Sequence, residues 1–284
     1  MRSYLAAALQ MTSLPDLEHN LNQAEELIDL AVRQGAELIG LPENFAFMGE
    51  DHERADRAAT IAEASQKFLK TIAQRYQITL LGGGFPLPVT DSAAPAPGPG
   101  STPGPSKVQN VALLIGPDGT ELTRYEKVHL FDVDLPDGNN YQESATALAG
   151  TKLPTVYPSE DFGNLGLSIC YDVRFPELYR HLSKTAAEVL FVPAAFTAFT
   201  GKDHWQVLLQ ARAIENTCYL IAPAQTGTHY ARRQTHGHAL IIDPWGLVLA
   251  DAGTEPGFAM ASIEPTRLTQ VRQQMPSLKH RAFS

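Results

Sequence analysis

Cysteine is nearly absent from this chain: Cys170 and Cys218 are the only two in 284 residues. That scarcity excludes a disulfide framework and points to a reducing compartment, the cytoplasm. No apolar run approaches the length of a membrane span. The N-terminal MRSYLAAALQM turns polar at once, so it reads as a strand and not as a signal peptide. Positive charge is short as well: 22 Lys and Arg stand against 31 Asp and Glu, for a formal net charge of -9. Nucleic acid and anionic membranes need clustered Lys and Arg, so both are excluded as partners. What remains is an ordinary soluble composition, 44% hydrophobic, in a chain long enough to bury a large core.

The pattern within it is an alternation of strands and helices. SYLAAALQM (3–11) is a buried-strand pattern, and Leu17, Leu21, Ala24, Leu27, Ile28, Ala31 and Val32 fall on one helical stripe. Asp16 suits the start of that helix and Gly35 its end. ELIGLPE (37–43) is a strand stopped by Pro42, a second helix fits 53–75, and ITLLGGGF (78–85) is a strand ending in glycines. Residues 91–107 hold five prolines and three glycines and read as a flexible surface loop. A hairpin turns about Pro117-Asp118-Gly119.

Strands then follow at 164–170, 188–193, 218–224, 236–243, 247–251 and 257–263. Helices fit 175–186 and 203–216, with a C-terminal helix and tail at 264–284. This order predicts two sheets, each backed by helices, in a single α/β domain spanning 1–284.

Three strand ends deliver reactive side chains: Glu43 after ELIGLP, Lys127 in RYEKVHLF and Cys170 in LGLSIC. Ligands of open α/β sheets bind beyond the carboxyl ends of strands, which makes the three candidates for one cleft. Their chemistry is coherent. A thiolate attacks a carbonyl or nitrile carbon, a carboxylate carries the thiol proton to the departing amine, and an ammonium holds the oxyanion.

PENF, YEKVHLF and ICYDVRFPE, in that order, resemble the three catalytic motifs of the nitrilase superfamily, the carbon–nitrogen hydrolases. The resemblance implies a four-layer α-β-β-α sandwich, a Glu43–Lys127–Cys170 triad, and Glu143 in YQES as a second active-site glutamate that orients the lysine. It implies no cofactor and no metal, since the triad supplies nucleophile, base and oxyanion donor. It also implies pairing into a homodimer or higher homo-oligomer, through the helix after the cysteine and the C-terminal tail. Tyr171 would add its backbone N–H to the oxyanion site, and Arg174 would anchor a substrate carboxylate. Phe196 and Thr197, in AAFTAFTGKDHW, would line the pocket.

DVRFPE, AFTAFTGKDHW, QARAIENTCYLIAPAQTG and HGHALIIDPWG are most similar to the deaminated glutathione amidase branch, beside the ω-amidases. The implied substrate is a small carboxylated amide. Hydrolysis of deaminated glutathione gives 2-oxoglutarate and cysteinylglycine; the alternatives are 2-oxoglutaramate, a small nitrile, or a non-catalytic binding role. In GTHYARRQTHG (227–237), Arg232 and Arg233 with His229 and Tyr230 form a cationic, aromatic loop that would meet the dipeptide carboxylate or simply lie in solvent.

Other groups admit plainer readings. Cys218 is core filler, Trp205 packs, and GGGF (82–85) lacks the residues of a phosphate loop. Asp172, Arg174 and Glu177 could form a local ion pair. His236 and His238 would share one face of a strand but lack a third metal ligand. His129 is close enough in sequence to Lys127 to be considered as a base for Cys170, with no orienting Asn or Asp in view.

Overall fold

The computed structural model describes residues 1–89, 107–136 and 138–282; most of the Pro/Gly-rich stretch at 91–107 lies outside them. The chain opens with β1 (Tyr4–Met11), α1 (Leu17–Arg33), β2 (Ala36–Gly40), α2 (Asp51–Asp56), α3 (Ala58–Tyr76) and β3 (Thr79–Pro88). Asp16 caps α1 as expected, accepting from the His19 N–H at 3.0 Å. The hairpin of β4 (Val108–Ile115) and β5 (Glu121–Glu126) follows. A loop-rich stretch then carries β6 (Asp132–Asp134), β7 (Asn140–Gln142) and β8 (Ala147–Leu148).

The second half holds β9 (Tyr157–Ser159), β10 (Gly163–Leu167), α4 (Pro176–Lys184), β11 (Val189–Phe191), α5 (Ala198–Asn216) and β12 (Tyr219–Ala222). It closes with β13 (Ala224–Thr228), β14 (Gln234–His236), β15 (Leu240–Ile242), β16 (Val248–Asp251), β17 (Gly257–Ile263) and α6 (Pro265–Gln274).

Two large sheets result. One runs β14-β13-β1-β2-β3-β4-β5, with β17 antiparallel to β1 and β8 beside β4; the other runs β16-β15-β12-β11-β10-β9. Side-chain alternation explains their stacking. Ala6 and Ala8 of β1 face the second sheet, where Leu165, Leu167, Val189, Phe191 and Ile221 wait. Ala7, Leu9 and Met11 face the opposite way, onto Ala24, Ile28 and Ala31 of α1 and Leu69 and Ile72 of α3. Leu178, Leu209 and Ala213 of α4 and α5 cover the second sheet's other face. The layers are therefore helix, sheet, sheet, helix, as the resemblance implied.

Several expectations about element bounds need correction. The helix expected at 53–75 divides at Arg57, whose guanidinium lies 4.5 Å over the Phe47 ring. The strand expected at 218–224 is two strands in different sheets, because Pro223 lacks the N–H to continue a ladder and the chain crosses between sheets there. The strand expected at 236–243 breaks at Gly237 and His238, both at positive φ. Helix α5 begins five residues before the expected 203, because Thr197 caps it, its side chain accepting from the Thr200 N–H.

The glycines of 82–84 do not end a strand. They lie within β3, and a side chain on Gly83 would collide with the backbone of Leu41 and Pro42, 2.4–2.5 Å away. Their smallness lets the chain leading to Glu43 lie against β3.

Phe191 is fully buried between the sheets. Phe191→Ala should cost about 3–5 kcal/mol, read as a lower denaturation midpoint with an unchanged m-value; a loss under about 1 kcal/mol would contradict this packing.

Candidate active site

Strands β2, β10 and β11, each in a parallel pair, point their carboxyl ends towards one cleft. Its walls include Glu43, Lys127, Glu143, Cys170, Tyr171, Arg174, Phe196, Thr197 and Arg233. Nine of the ten candidates read from the sequence are thus brought together. Arg232 is not. A tight turn, closed by the Arg233 N–H on the Tyr230 carbonyl at 2.8 Å with Ala231 at φ 44°, sends the two arginines different ways and leaves Arg232 exposed.

Lys127 stands at the centre of the polar groups. Its Nζ donates to Glu43 Oε1 at 3.1 Å and to Glu143 Oε1 and Oε2 at 3.1 and 2.8 Å. Burial works against this ammonium, yet Glu143 and Glu43 together more than offset it and hold its pKa above the usual lysine range. Glu43 Oε2 accepts from the Ala195 N–H at 3.0 Å, and Glu143 Oε2 from the Phe131 N–H at 2.7 Å. Neither carboxylate can turn without losing a backbone donor.

Cys170 opens a turn of 3-10 helix, Cys170–Arg174, at φ 48°. That left-handed conformation is costly for a side chain with a Cβ and persists only when its surroundings hold it. Here the Cys170 N–H donates to the Pro193 carbonyl at 2.9 Å, and Asp172 Oδ2 accepts from the Ile169 N–H at 2.8 Å. The turn leaves the Tyr171 N–H without an acceptor among the described residues, as opening turns do.

Burial and then the Glu43 charge push the Cys170 thiol well above its ordinary range, against the pull of Lys127. Glu43 moves the other way. Burial would raise it, but Lys127 and the hydrogen bonds from Cys170, Lys127 and Ala195 hold it low. The two shifts together favour a neutral Cys170 thiol beside a charged Glu43.

Three residues that sequence reasoning missed support this arrangement. Asn110 Nδ2 donates to Glu43 Oε1 at 2.9 Å and to Glu143 Oε1 at 3.3 Å, tying the two glutamates together. Gly84 makes room for it: a Cβ there would sit 2.2 Å from Asn110 Oδ1. A polar residue in register with Val108, Ala112 and Leu114, on the apolar face of the strand VQNVALLI, was the available signal. Arg54 also lines the cleft, held by Asp51 Oδ1 at 3.0 Å and Asn44 Oδ1 at 3.1 Å.

Tyr125 is the third, and its hydroxyl donates to Asp172 Oδ2 at 2.8 Å. His129 Nδ1 donates to Asp172 Oδ1 at 2.7 Å, and its ring stacks on Phe175 at 3.6 Å. Asp172 is therefore no local ion pair with Arg174 or Glu177; it joins the segment carrying Lys127 to the segment carrying Cys170. It is also the orienting partner His129 lacked in the sequence, but His129 does not line the cleft, so a Cys170–His129 pair is not built.

The remaining histidines fall in place. His229 Nδ1 donates to the Ser13 carbonyl at 2.7 Å, and Nε2 accepts from Thr235 Oγ1 at 2.6 Å. Burial lowers its pKa to about 4, so it adds no charge to the 227–237 loop near neutrality. His236 and His238 stack at 4.8 Å although no single strand holds them, and His238 bonds Asp251. Trp205 is buried and donates to the His238 carbonyl at 2.8 Å. No group of three or more metal-ligating side chains occurs among the described residues. Nor does any helix among them reach the length and apolarity needed to cross a membrane.

The chain belongs to the carbon–nitrogen hydrolase family, whose model matches residues 5–273. It is 69% identical over 283 residues to the deaminated glutathione amidase of Synechocystis sp., covering 100% of both chains. The crystal structure of the Caenorhabditis elegans NitFhit protein superposes with a TM-score of 0.89 at 37% identity, covering 99% of this chain and 66% of that one. At 27% identity and a TM-score of 0.77, covering 98% and 94%, it also resembles an amidase mutant from Nesterenkonia sp. AN1. That structure shows covalent addition of the acetamide moiety of fluoroacetamide at the active-site cysteine.

The two perturbed groups give a test. Removing the Glu43 charge leaves Lys127 to act on the thiol alone, so Glu43→Gln should lower the Cys170 pKa. The pH profile of iodoacetamide alkylation reads this directly, with buried Cys218 silent. A profile that stays in place or moves to higher pH in the variant would contradict the electrostatics.

Proposed function

We propose that this chain is a thiol amidohydrolase working through a Cys170 acyl-enzyme, and that its substrate is deaminated glutathione. The single observation that carries the chemistry is the convergence of Glu43, Lys127 and Cys170 on one cleft, with Lys127 Nζ held at 3.1 Å from Glu43 Oε1 and 2.8 Å from Glu143 Oε2. As the sulfur attacks the amide carbon, its proton passes to Glu43, and the carbonyl π electrons move onto oxygen. Lys127 Nζ and the Tyr171 N–H stabilise that oxyanion. Collapse breaks the carbon–nitrogen bond, the leaving amine takes the proton from Glu43, and a thioester remains. Glu43 then deprotonates a water that attacks the thioester, and the thiol is restored as the carboxylic acid departs.

Glu143 keeps Lys127 in place throughout. Arg174, with no carboxylate within salt-bridge reach among the described residues, is assigned the carboxylate of the acyl half. Phe196 lies under its guanidinium at 5.1 Å, and Thr197 completes that wall. The choice of deaminated glutathione follows the Synechocystis relative and the 69% identity. Products would be 2-oxoglutarate and cysteinylglycine. The two unpaired cysteines suit a cytoplasmic setting.

The protein is proposed to work as a homodimer. Val207 and Ile214 of α5 are 64% and 51% exposed, and Ile214 abuts the turn that carries Trp245 and Leu247, 50% and 58% exposed. Apolar groups so placed mark an interaction surface. Val207→Asp with Ile214→Asp should halve the mass measured by light scattering; a wild-type monomer, or a variant of unchanged mass, would overturn the pairing.

A mass-resolved product assay tests the activity on deaminated glutathione, 2-oxoglutaramate and a small nitrile. Lys127→Ala should lower turnover by about 10²–10³-fold, the usual loss for an oxyanion donor, and Cys170→Ala should abolish it. Ammonia released from 2-oxoglutaramate without dipeptide release would make the protein an ω-amidase, and turnover surviving Cys170→Ala would remove the mechanism.

A further inference from the structure

The cleft has more cationic side chains than the catalytic groups account for. Lys127, Arg54, Arg174 and Arg233 line it, against Glu43, Glu143 and Asp51. Lys127 is matched by both glutamates and Arg54 by Asp51. Arg174 and Arg233 have no carboxylate within salt-bridge reach among the described residues. Two unmatched guanidinium groups in one partly enclosed cleft are costly to keep in an empty site, and an anion bound at each relieves that cost.

The two are mounted separately. Arg174 follows the Cys170 turn, rests against the Phe196 and Tyr171 rings at 5.1 and 5.8 Å, and donates to His204 Nδ1 at 3.2 Å. Arg233 comes from the β13–β14 turn. Its guanidinium lies 4.4 Å over Tyr141, and its Nη2 donates to the Ala195 carbonyl at 3.1 Å. Its Nη1 is buried with no acceptor among the described residues. A buried donor left unfilled is unfavourable by itself. Ala195 is also the residue whose N–H fixes Glu43, so Arg233 is mounted next to the group that hands a proton to the leaving amine.

We infer that Arg233 is the residue that selects the leaving group, by receiving a carboxylate carried on the amine half of the substrate while Arg174 receives the one on the acyl half. The site is then built for an amide with a negative charge on each side of the scissile bond. A rotation of the Arg233 guanidinium within the cleft brings Nη1 and the free hydrogen of Nη2 onto one carboxylate, a planar fork that lysine cannot reproduce. Arg232, adjacent in sequence but exposed, takes no part. This assignment deepens the proposed amidase reading and rests on it, because it presumes which half of the substrate faces Glu43.

The experiment is a binding titration with Cys170→Ala protein, using deaminated glutathione and its glycine carboxamide, which differ only in the distal charge. The acid should bind about 10–100-fold tighter, the range of a charge-assisted pair. Adding Arg233→Gln should bring the acid-to-amide ratio towards one, with partial recovery in Arg233→Lys. Adding Arg174→Gln should weaken both ligands alike and keep the ratio, and Arg232→Gln should change neither affinity. A ratio near one before any arginine is changed, or a ratio that survives Arg233→Gln, would overturn the assignment. Failure of the amidase reading would be seen separately, as absent dipeptide release by the wild-type enzyme.

Discussion

The active site depends on one buried ammonium. Lys127 is 2% exposed and has three carboxylate oxygens around it. Taking an ion out of water costs several kcal/mol even after relaxation, and such a group is tolerated only when its partners fill its hydrogen-bonding capacity. The partners here come from three distant places in the chain: Glu43 after β2, Glu143 before β8, and Asn110 in β4 holding both glutamates. Each is tied to a backbone group or to another of the set. The ammonium therefore fixes where the loops around it can lie, besides the oxyanion role proposed for it.

That constraint also sets the protonation of the catalytic pair. Lys127 and the Ala195 N–H hold Glu43 ionised in a place where burial alone would neutralise it, and the ionised Glu43 keeps Cys170 protonated. A free thiolate deep in the cleft would be exposed to wasteful oxidation and alkylation. A thiol that loses its proton only as the sulfur attacks avoids this. The backbone adds to this: the left-handed turn at Cys170 leaves the N–H of the next residue, Tyr171, without an acceptor among the described residues.

Crossing of the chain between sheets gives the cleft its remaining wall. At Pro223 the chain leaves the second sheet for the first, and the β13–β14 turn that follows brings Tyr230 and Arg233 over the catalytic groups. The same stretch packs by Gln225, whose Nε2 donates to the Glu43 carbonyl at 3.1 Å. Fold and site are thus one construction, in which the second sheet supplies Cys170 and the first supplies Glu43.

By itself the sequence determined the layers and the identity of the reactive groups. Apolar periodicity in β1 and α1 dictates which faces are buried, and Glu43, Lys127 and Cys170 stand in motifs whose order is legible along the chain. The contacts between them were not legible, because they join residues as far apart as Glu43 and Lys127, 84 positions in the chain, and no local rule reports a long-range distance. Asp172 looked like half of an ion pair with its neighbour, and Arg232 and Arg233 like equals. Only the tertiary structure decided that Asn110 bridges two carboxylates, that Asp172 serves His129 and Tyr125, and that one arginine of the pair lines the cleft. A side chain's role is set by the desolvation and partners it meets, and those exist only once the chain has closed on itself.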